Sequence, residues 1–403
     1  MAISCGIASP AAPDRNDRKI AMTPFNFKII SSCGRARAGE IITPHGIVKT
    51  PAFMPVGTQA SVKAVTPDEL IQMNTQIILG GNTYHMYLRP GMEVIKKSGG
   101  MHKFMHWLKP MLTDSGGFQV FTLGTKITND GVWFKSHLDG SKHFFDAKKS
   151  IIIQKIIGAD IIMAFDQCTS DKLPKDEIKK AMIRTHRWLK LSKQYWQENG
   201  CLSTTTGKYQ ALFGIIQGGV YKDLRLQSAE FVSSLDLPGI AIGGETIGFN
   251  MKKTIQVANW LKKTLVCKKP IYMMGLSQKP QDIIDAVLSG IDLFDCVAPT
   301  RMARHGSLYT GKVKIKKTSN NLKVSFESNY PRGILHINNS DFTKDLKVID
   351  SDCDCQTCKS GYTRSYLRHL FKSKEIIYYR LATIHNLRFM IRLCESLRNI
   401  IIK

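Results

Sequence analysis

Nothing in this 403-residue chain is apolar for long. Its apolar runs, such as Ile151–Ile153 and Ile400–Ile402, fall far short of the roughly 18 residues that a membrane-spanning helix needs. Low-complexity tracts are lacking too, and Gly (31) and Pro (15) are at ordinary levels, which excludes fibrous and disordered chains. A basic-then-apolar leader is missing, since Asp14, Arg15, Asp17 and Arg18 follow only a weakly apolar stretch. Residues 1–23 therefore read as a flexible extension or a misplaced start, and 24–403 as the working domain. Acidic residues are scarce: 32 Asp+Glu face 57 Lys+Arg, a net charge of +25. Such a field draws polyanions, so nucleic acid is the leading partner, with a general drift toward lysine as the plain alternative. The ten cysteines are not a disulfide framework. They are spread along the chain, and Cys353, Cys355 and Cys358 are too close together, so metal binding in a reducing, cytoplasmic setting fits better.

What is present is a globular composition, 43% hydrophobic and 22% charged, and a recurrent pattern. Eight short apolar runs occur in order: Phe53–Thr58, Gln76–Asn82, Met111–Gly117, Asp160–Cys168, Gln210–Gly219, Gly239–Gly244, Ile271–Ser277 and Ile291–Val297. Continuous apolar runs mark strands buried on both faces, as in parallel sheets. Helical segments lie between them, including Thr66–Met73, opening Thr-Pro-Asp-Glu, and Pro174–Glu198, with apolar residues at helical spacing. Eight strand–helix units predict a (β/α)8 TIM barrel, with a doubly wound open sheet as the alternative. In a barrel the chemistry lies at the C-terminal ends of the strands. Those ends carry Asn82, Asp114, Ser115, Asp166, Gln217, Glu245, Ser277 and Asp295. A converging set of carboxylates and amides is costly to bury without a polar ligand.

Five motifs and a basic tail sharpen this. Asp114-Ser-Gly-Gly-Phe-Gln119 joins a carboxylate to two glycines, which let backbone N–H groups approach a ligand, and to an aromatic stacking face; a capped turn is the plain reading. Gly214-Ile-Ile-Gln-Gly-Gly219 and Ala241-Ile-Gly-Gly244 repeat the strand-then-glycine design, and neither is the dinucleotide fingerprint GxGxxG. Asp295, within Asp292-Leu-Phe-Asp-Cys-Val-Ala-Pro-Thr-Arg301, completes with Asp114 the two carboxylates of glycosyl transfer, one attacking an anomeric carbon and one moving a proton. Structural Asp–Arg ion pairs are the bland alternative. Thr300, Arg301 and Arg304 follow where a phosphate backbone could lie. Cys353-x-Cys355-x2-Cys358 needs a fourth ligand to close a tetrahedral structural zinc site, with His369, His385 and Cys394 as candidates. The tail from Arg364 to Lys403 carries eight cationic residues to Arg398 among apolar ones, as an RNA-facing or simply solvated helix would.

Taken in order, Gly81-Asn-Thr-Tyr-His-Met-Tyr-Leu-Arg-Pro-Gly91, Asp114–Gln119, Phe165-Asp-Gln-Cys168, Gly214–Gly219, Ala241–Gly244, Asp292–Arg301 and the cysteine cluster resemble the tRNA-guanine transglycosylases of the bacterial type, from about Phe25 to Leu397. The resemblance implies a (β/α)8 barrel with a zinc-bearing subdomain, at about 335–390. The implied activity is exchange of guanine at wobble position 34 of GUN-anticodon tRNAs (Asn, Asp, His, Tyr) for a 7-deazaguanine, preQ1 or queuine. It aligns Asp295 with the nucleophile and Asp114 with the general acid/base. Asp114, Ser115, Gly116, Gly117, Phe118, Asp166, Cys168, Gln217, Gly243, Gly244 and Met274 would line the base pocket, with Phe118 and Met274 sandwiching the ring. Gly275, Leu276, Ser277, Gln278, Lys279, Pro280 and Gln281 align with an RNA-contacting loop, and Thr300, Arg301, Met302, Ala303 and Arg304 with a segment at the wobble neighbourhood. His385 aligns as the fourth ligand to one structural Zn2+ per subunit, and a homodimer through the zinc region is implied.

The chain departs from the family where the pattern Leu, small residue, Val, Gly, Glu usually follows the glycine pair. Here it reads Glu245-Thr-Ile-Gly-Phe249, in a loop that the resemblance places against the position-7 substituent. A catalytically silent partner subunit would have lost Asp295 or Asp114. A barrel metallohydrolase would carry histidines at its strand ends.

Overall fold

The computed structural model describes residues 25–122, 126–198, 200–245, 247–248, 250–264, 268–276, 278–318 and 321–403. Residues 1–23, and Ser277, Phe249, Cys5 and Cys267, lie outside the described residues.

Eight parallel strands close into a barrel: Ala52–Gly57, Ile78–Gly80, Met111–Leu112, Ile161–Met163, Ala211–Ile216, Gly239–Ile242, Ile271–Met273 and Leu293–Cys296. All eight apolar runs are barrel strands, and the open sheet is excluded by closure: Leu293 pairs with Ala52 and Asp295 with Met54. Alternation explains the two halves of the core. Along the fifth strand Ala211, Phe213 and Ile215 join the cluster that fills the lumen. Leu212 and Ile216 join the layer between strands and outer helices. The same alternation turns Tyr272 inward on the seventh strand and Leu293 inward on the eighth, so that Asp295, two residues on, also faces the lumen.

The helices follow their sequence signals. Thr66 and Glu69 form a reciprocal cap on Pro67–Gln72. Lys175–Gln197 buries Ile178, Ala181, Met182, Thr185, Trp188, Leu189, Ser192 and Trp196, one face of an amphipathic helix. An antiparallel sheet of Asn26–Cys33, Ala36–Thr43 and Gly46–Thr50 covers the N-terminal mouth, where Ile41 and Val48 pack into the lumen cluster. The last helix, Ile376–Ile402, lies against the helix Ala298–Arg304 and the first barrel strand. No helix among the described residues is long and apolar enough to cross a membrane.

The tail is not an open basic face. Arg364 pairs with Asp345 at 3.0 Å, Arg380 with Glu69 at 2.6 Å, Arg388 with Asp354 and Glu395 at 2.6 and 2.8 Å, and Arg392 with Asp350 at 2.9 Å. Arg368 and Arg398 donate to the carbonyls of Asn339 and Pro51. These arginines brace the last helix against the barrel.

Candidate active site

The C-terminal mouth gathers three carboxylates, Asp166 and Asp295 buried and Asp114 half-buried. Asp114 follows the third strand, and its Oδ1 accepts from the backbone N–H groups of Thr83 (2.9 Å) and Gly116 (3.2 Å), while Asn82 Nδ2 donates to Oδ2. Asn82 thereby serves both the carboxylate and, through its own Oδ1, the cap of the helix Thr83–Leu88. Burial is the main cause that pushes Asp114 up to about 7, and the charges of Asp295 and Asp166 add to it. Asp295 is held by Tyr272 OH (2.6 Å) and Gly275 N–H (2.8 Å), both donating to Oδ1. Burial raises its pKa, and these two donors oppose the rise.

Asp166, after the fourth strand, forms the third corner. Ser115 Oγ donates to its Oδ1 (3.0 Å) and Gln217 Nε2 to its Oδ2 (2.8 Å). Burial lifts it to about 6 against these bonds. Gly117 must be glycine here, because a Cβ would stand 2.6 Å from the Asp166 carbonyl and 2.8 Å from its carboxylate. Phe118 is exposed at the rim, offering a ring face, and Met274 is half-buried opposite the glycine pair, where a Cβ on Gly243 would lie 3.5 Å from its sulfur. Cys168 is buried, and burial pushes its thiol up to about 12, so it is an inert wall.

Several residues that support this mouth have no motif to announce them. Arg225, wholly buried, donates to the carbonyls of Gly219 (2.8 Å), Ile216 (2.9 Å) and Gly243 (2.7 Å), clamping both glycine turns from behind. Gly244 has φ +130°, and a Cβ there would meet Arg225 Nη2 at 2.6 Å. Tyr272 reads as one more apolar strand residue; only the two-residue alternation, which puts it on the same side as Asp295, could have found it. Glu245 reaches across to accept from Ser170 Oγ (2.9 Å) and Asp171 N–H (2.8 Å), linking its loop to the one after the fourth strand.

The expected RNA segments divide by exposure. Gly275, Gln278 and Arg301 are exposed, Lys279, Gln281, Met302 and Arg304 are half-buried, and Leu276, Pro280, Thr300 and Ala303 are buried in packing. Arg304 turns back to donate to the Thr300 carbonyl at 3.0 Å. Arg301 is thus the exposed cation beside the eighth strand's end.

A second centre lies in the late segment. Cys353, Cys355, Cys358 and His385 are all buried, and their ligand atoms lie within 4.8 Å of one another, a set that could hold a metal ion. His385 Nδ1 approaches the sulfurs of Cys355 (3.6 Å) and Cys358 (3.4 Å), while its Nε2 donates to the Tyr309 carbonyl at 2.6 Å. That outer bond fixes the tautomer with Nδ1 free to ligate. His369 is exposed, and neither it nor Cys394 belongs to the group.

The barrel thus carries a mouth of carboxylates and glycine turns, with a buried Cys3His group in the late segment. The model of the queuine tRNA-ribosyltransferase family matches residues 32–403. The chain belongs to that family. Proteins described as queuine tRNA-ribosyltransferase are similar along nearly the whole length. The one from Caldanaerobacter subterraneus is 47% identical over 94% of each chain. That of Herpetosiphon aurantiacus is 46% identical over 95% of this chain and 90% of its own. That of Halothermothrix orenii is 46% identical over 91% and 90%.

Proposed function

We propose that this protein is a tRNA-guanine transglycosylase that replaces guanine at position 34 of GUN-anticodon tRNAs by a 7-deazaguanine. The observation that carries the reading is the pair of carboxylates Asp114 and Asp295, half-buried and buried, at the third and eighth strand ends, each raised by desolvation and near enough for the charge of Asp295 to act on Asp114. Asp295 attacks the ribose anomeric carbon. The bond to guanine N9 breaks, its electron pair leaves with the base, and the carboxylic acid of Asp114 supplies the proton. The incoming base then gives its N9 proton to the Asp114 carboxylate and attacks the same carbon, releasing Asp295. A group with a pKa near 7 suits both directions of that transfer. Asp166 and Gln217 would read the polar edge of the base, and Phe118 and Met274 would cover its faces.

Cys353, Cys355, Cys358 and His385 would hold one structural Zn2+, since three thiolates and an imidazole with an ordered outer partner form a closed donor set. The ion would supply folding energy and no step of the reaction. Exposed apolar side chains near this centre, Leu346, Tyr366, Ile376 and Ile377, support a homodimer through it; light scattering would report the mass.

The test is exchange of labelled guanine into a GUN-anticodon transcript, with unlabelled preQ1 and queuine as competitors. Exchange is expected, and its absence from the folded, zinc-loaded protein would overturn the reading. The better competitor names the base. Glu245 and Phe249, standing where the family usually has leucine and glutamate, are the reason to test queuine beside preQ1, and exclusive use of preQ1 would refute queuine salvage.

A further inference from the structure

We propose that His45, His102 and Asp160 form a second metal site, at the N-terminal mouth of the barrel, for a divalent cation of the zinc, cobalt or nickel kind. The three residues come from separate elements. His45 lies in the turn between the strands Ala36–Thr43 and Gly46–Thr50, His102 is in the short helix Met101–Phe104, and Asp160 precedes the fourth barrel strand. One ligand atom from each lies within 4.8 Å of the others. His45 Nδ1 is 2.7 Å from Asp160 Oδ1, and His102 Nε2 is 3.5 Å from Oδ2. The two imidazoles stack with centroids 3.6 Å apart and planes 16° from parallel, so both present nitrogens to one carboxylate.

His102 points to a missing ligand. It is 3% exposed, and the long 3.5 Å approach of its Nε2 to Asp160 is the one polar contact its ring nitrogens make among the described residues. A buried imidazole so weakly served is costly, and a cation shared with Asp160 would give its lone pair a full partner. Burial lowers the pKa of His102, keeping that lone pair unprotonated. Asp160 is held ionised, its pKa down at about 2 through its histidine partners despite burial. Its remaining bonds come from the backbone N–H groups of His45 (3.2 Å) and Met111 (2.9 Å). Two imidazoles and one carboxylate select borderline cations over magnesium or calcium, which take mostly oxygen. The His45 side chain is partly open, leaving solvent to complete the coordination. Lys208, whose charge reaches His102 and whose Nζ lies 3.5 Å from the Pro44 carbonyl, opposes the cation, so affinity is weaker than at the Cys3His centre. The ion would staple the covering sheet to the third and fourth strands, at the mouth opposite the chemistry.

The test uses the full chain purified with its Cys3His metal in place. Titration with Co2+, followed by elemental analysis after gel filtration, should give two metal ions per chain. The second cobalt should add d–d absorption without the thiolate-to-cobalt charge transfer of a cysteine site. His45→Ala and, separately, His102→Leu should each return the count to one and abolish the cobalt-dependent rise in Tm, with guanine exchange unchanged. A wild-type count of one overturns the proposal, as does a second ion that persists in both variants.

Discussion

Asp292 and Asp295 stand three residues apart around one barrel strand, and the protein treats them in opposite ways. At the N-terminal mouth, Asp292 accepts from Arg37 Nε (2.9 Å) and from the Ile271 N–H (2.7 Å), with the guanidinium closing a second contact through Nη2. At the C-terminal mouth, the partners of Asp295 are a phenol and a peptide N–H, those of Asp114 an amide and two peptide N–H groups, and those of Asp166 a hydroxyl and an amide. Asp160 repeats the lower pattern with two histidines. A cation beside a buried carboxylate spends its charge on structure. Neutral donors position the group yet leave it able to take a proton or form a bond.

The largest effect should separate the two ends of that strand. Asp295→Ala is expected to lower exchange by on the order of 10⁴-fold or more while the protein stays folded, and the denaturant-stable RNA–protein adduct expected of wild type should be missing from gels. An adduct that survives the substitution would move the nucleophile elsewhere. Arg37→Ala should do the reverse. It leaves Asp292 buried and unpaired, which costs about 3–5 kcal/mol in urea unfolding, and activity per folded molecule should hold. If Arg37→Ala costs less than ~1 kcal/mol, the lower mouth is not held by charge.

Titration sharpens the contrast between Asp114 and Asp160, which should answer to the same isosteric change with opposite signs; Asp292 is not part of it, since burial raises its pKa in spite of Arg37. Asp114 has its folded pKa raised to about 7, above the ~3.9 of an unfolded chain. Below pH ~4 both states are protonated and nothing is lost; as pH rises through 7 the folded state must carry a buried charge, and stability falls. Asp114→Asn should therefore stabilise the protein at pH 8, by on the order of 2 kcal/mol, while abolishing turnover. Asp160 is depressed to about 2. Its stabilisation is present above pH ~4 and is lost as pH falls toward 2, so Asp160→Asn should destabilise at pH 8. Melting curves of both variants at pH 4 and pH 8 decide it; the same sign for the two at pH 8 would break the comparison.

What the sequence made legible follows from what leaves a local trace. Buried parallel strands are apolar runs ended by a polar residue, so all eight were found together with Asp114, Asp166 and Asp295 at their ends. Cysteine spacing is local too, but it left His369, His385 and Cys394 open; the resemblance singled out His385, and the packing of the last helix, which brings His385 to Tyr309, gives the physical reason. Tyr272 and Arg225 were hidden because a strand tyrosine and a helix arginine are ordinary at any position. The tail arginines misled for a similar reason: periodicity puts them on helices, yet Asp350, Asp354 and Glu69, which neutralise them, are distant or unremarkable in the sequence.

The smallest effect concerns the arginines that remain free to meet RNA. Arg301, exposed beside the eighth strand's end, and Arg380, exposed but paired with Glu69, carry the same charge and differ in what already occupies it. A phosphate contact is worth a slope of about 0.7–0.9 in log affinity against log salt, so Arg301→Ala should weaken tRNA binding roughly fivefold at low salt and flatten that slope by about one. Arg380→Ala should leave both unchanged and cost about 1 kcal/mol of stability, since Arg380 is itself exposed and the buried Glu69 keeps its bonds from Thr66. Fluorescence anisotropy with labelled tRNA across a salt series measures the two directly. Equal slopes for Arg301→Ala and wild type would place the RNA backbone away from the eighth strand. A loss of slope in Arg380→Ala would mean that the Glu69 pair opens on binding and that the braces of the last helix double as an RNA surface.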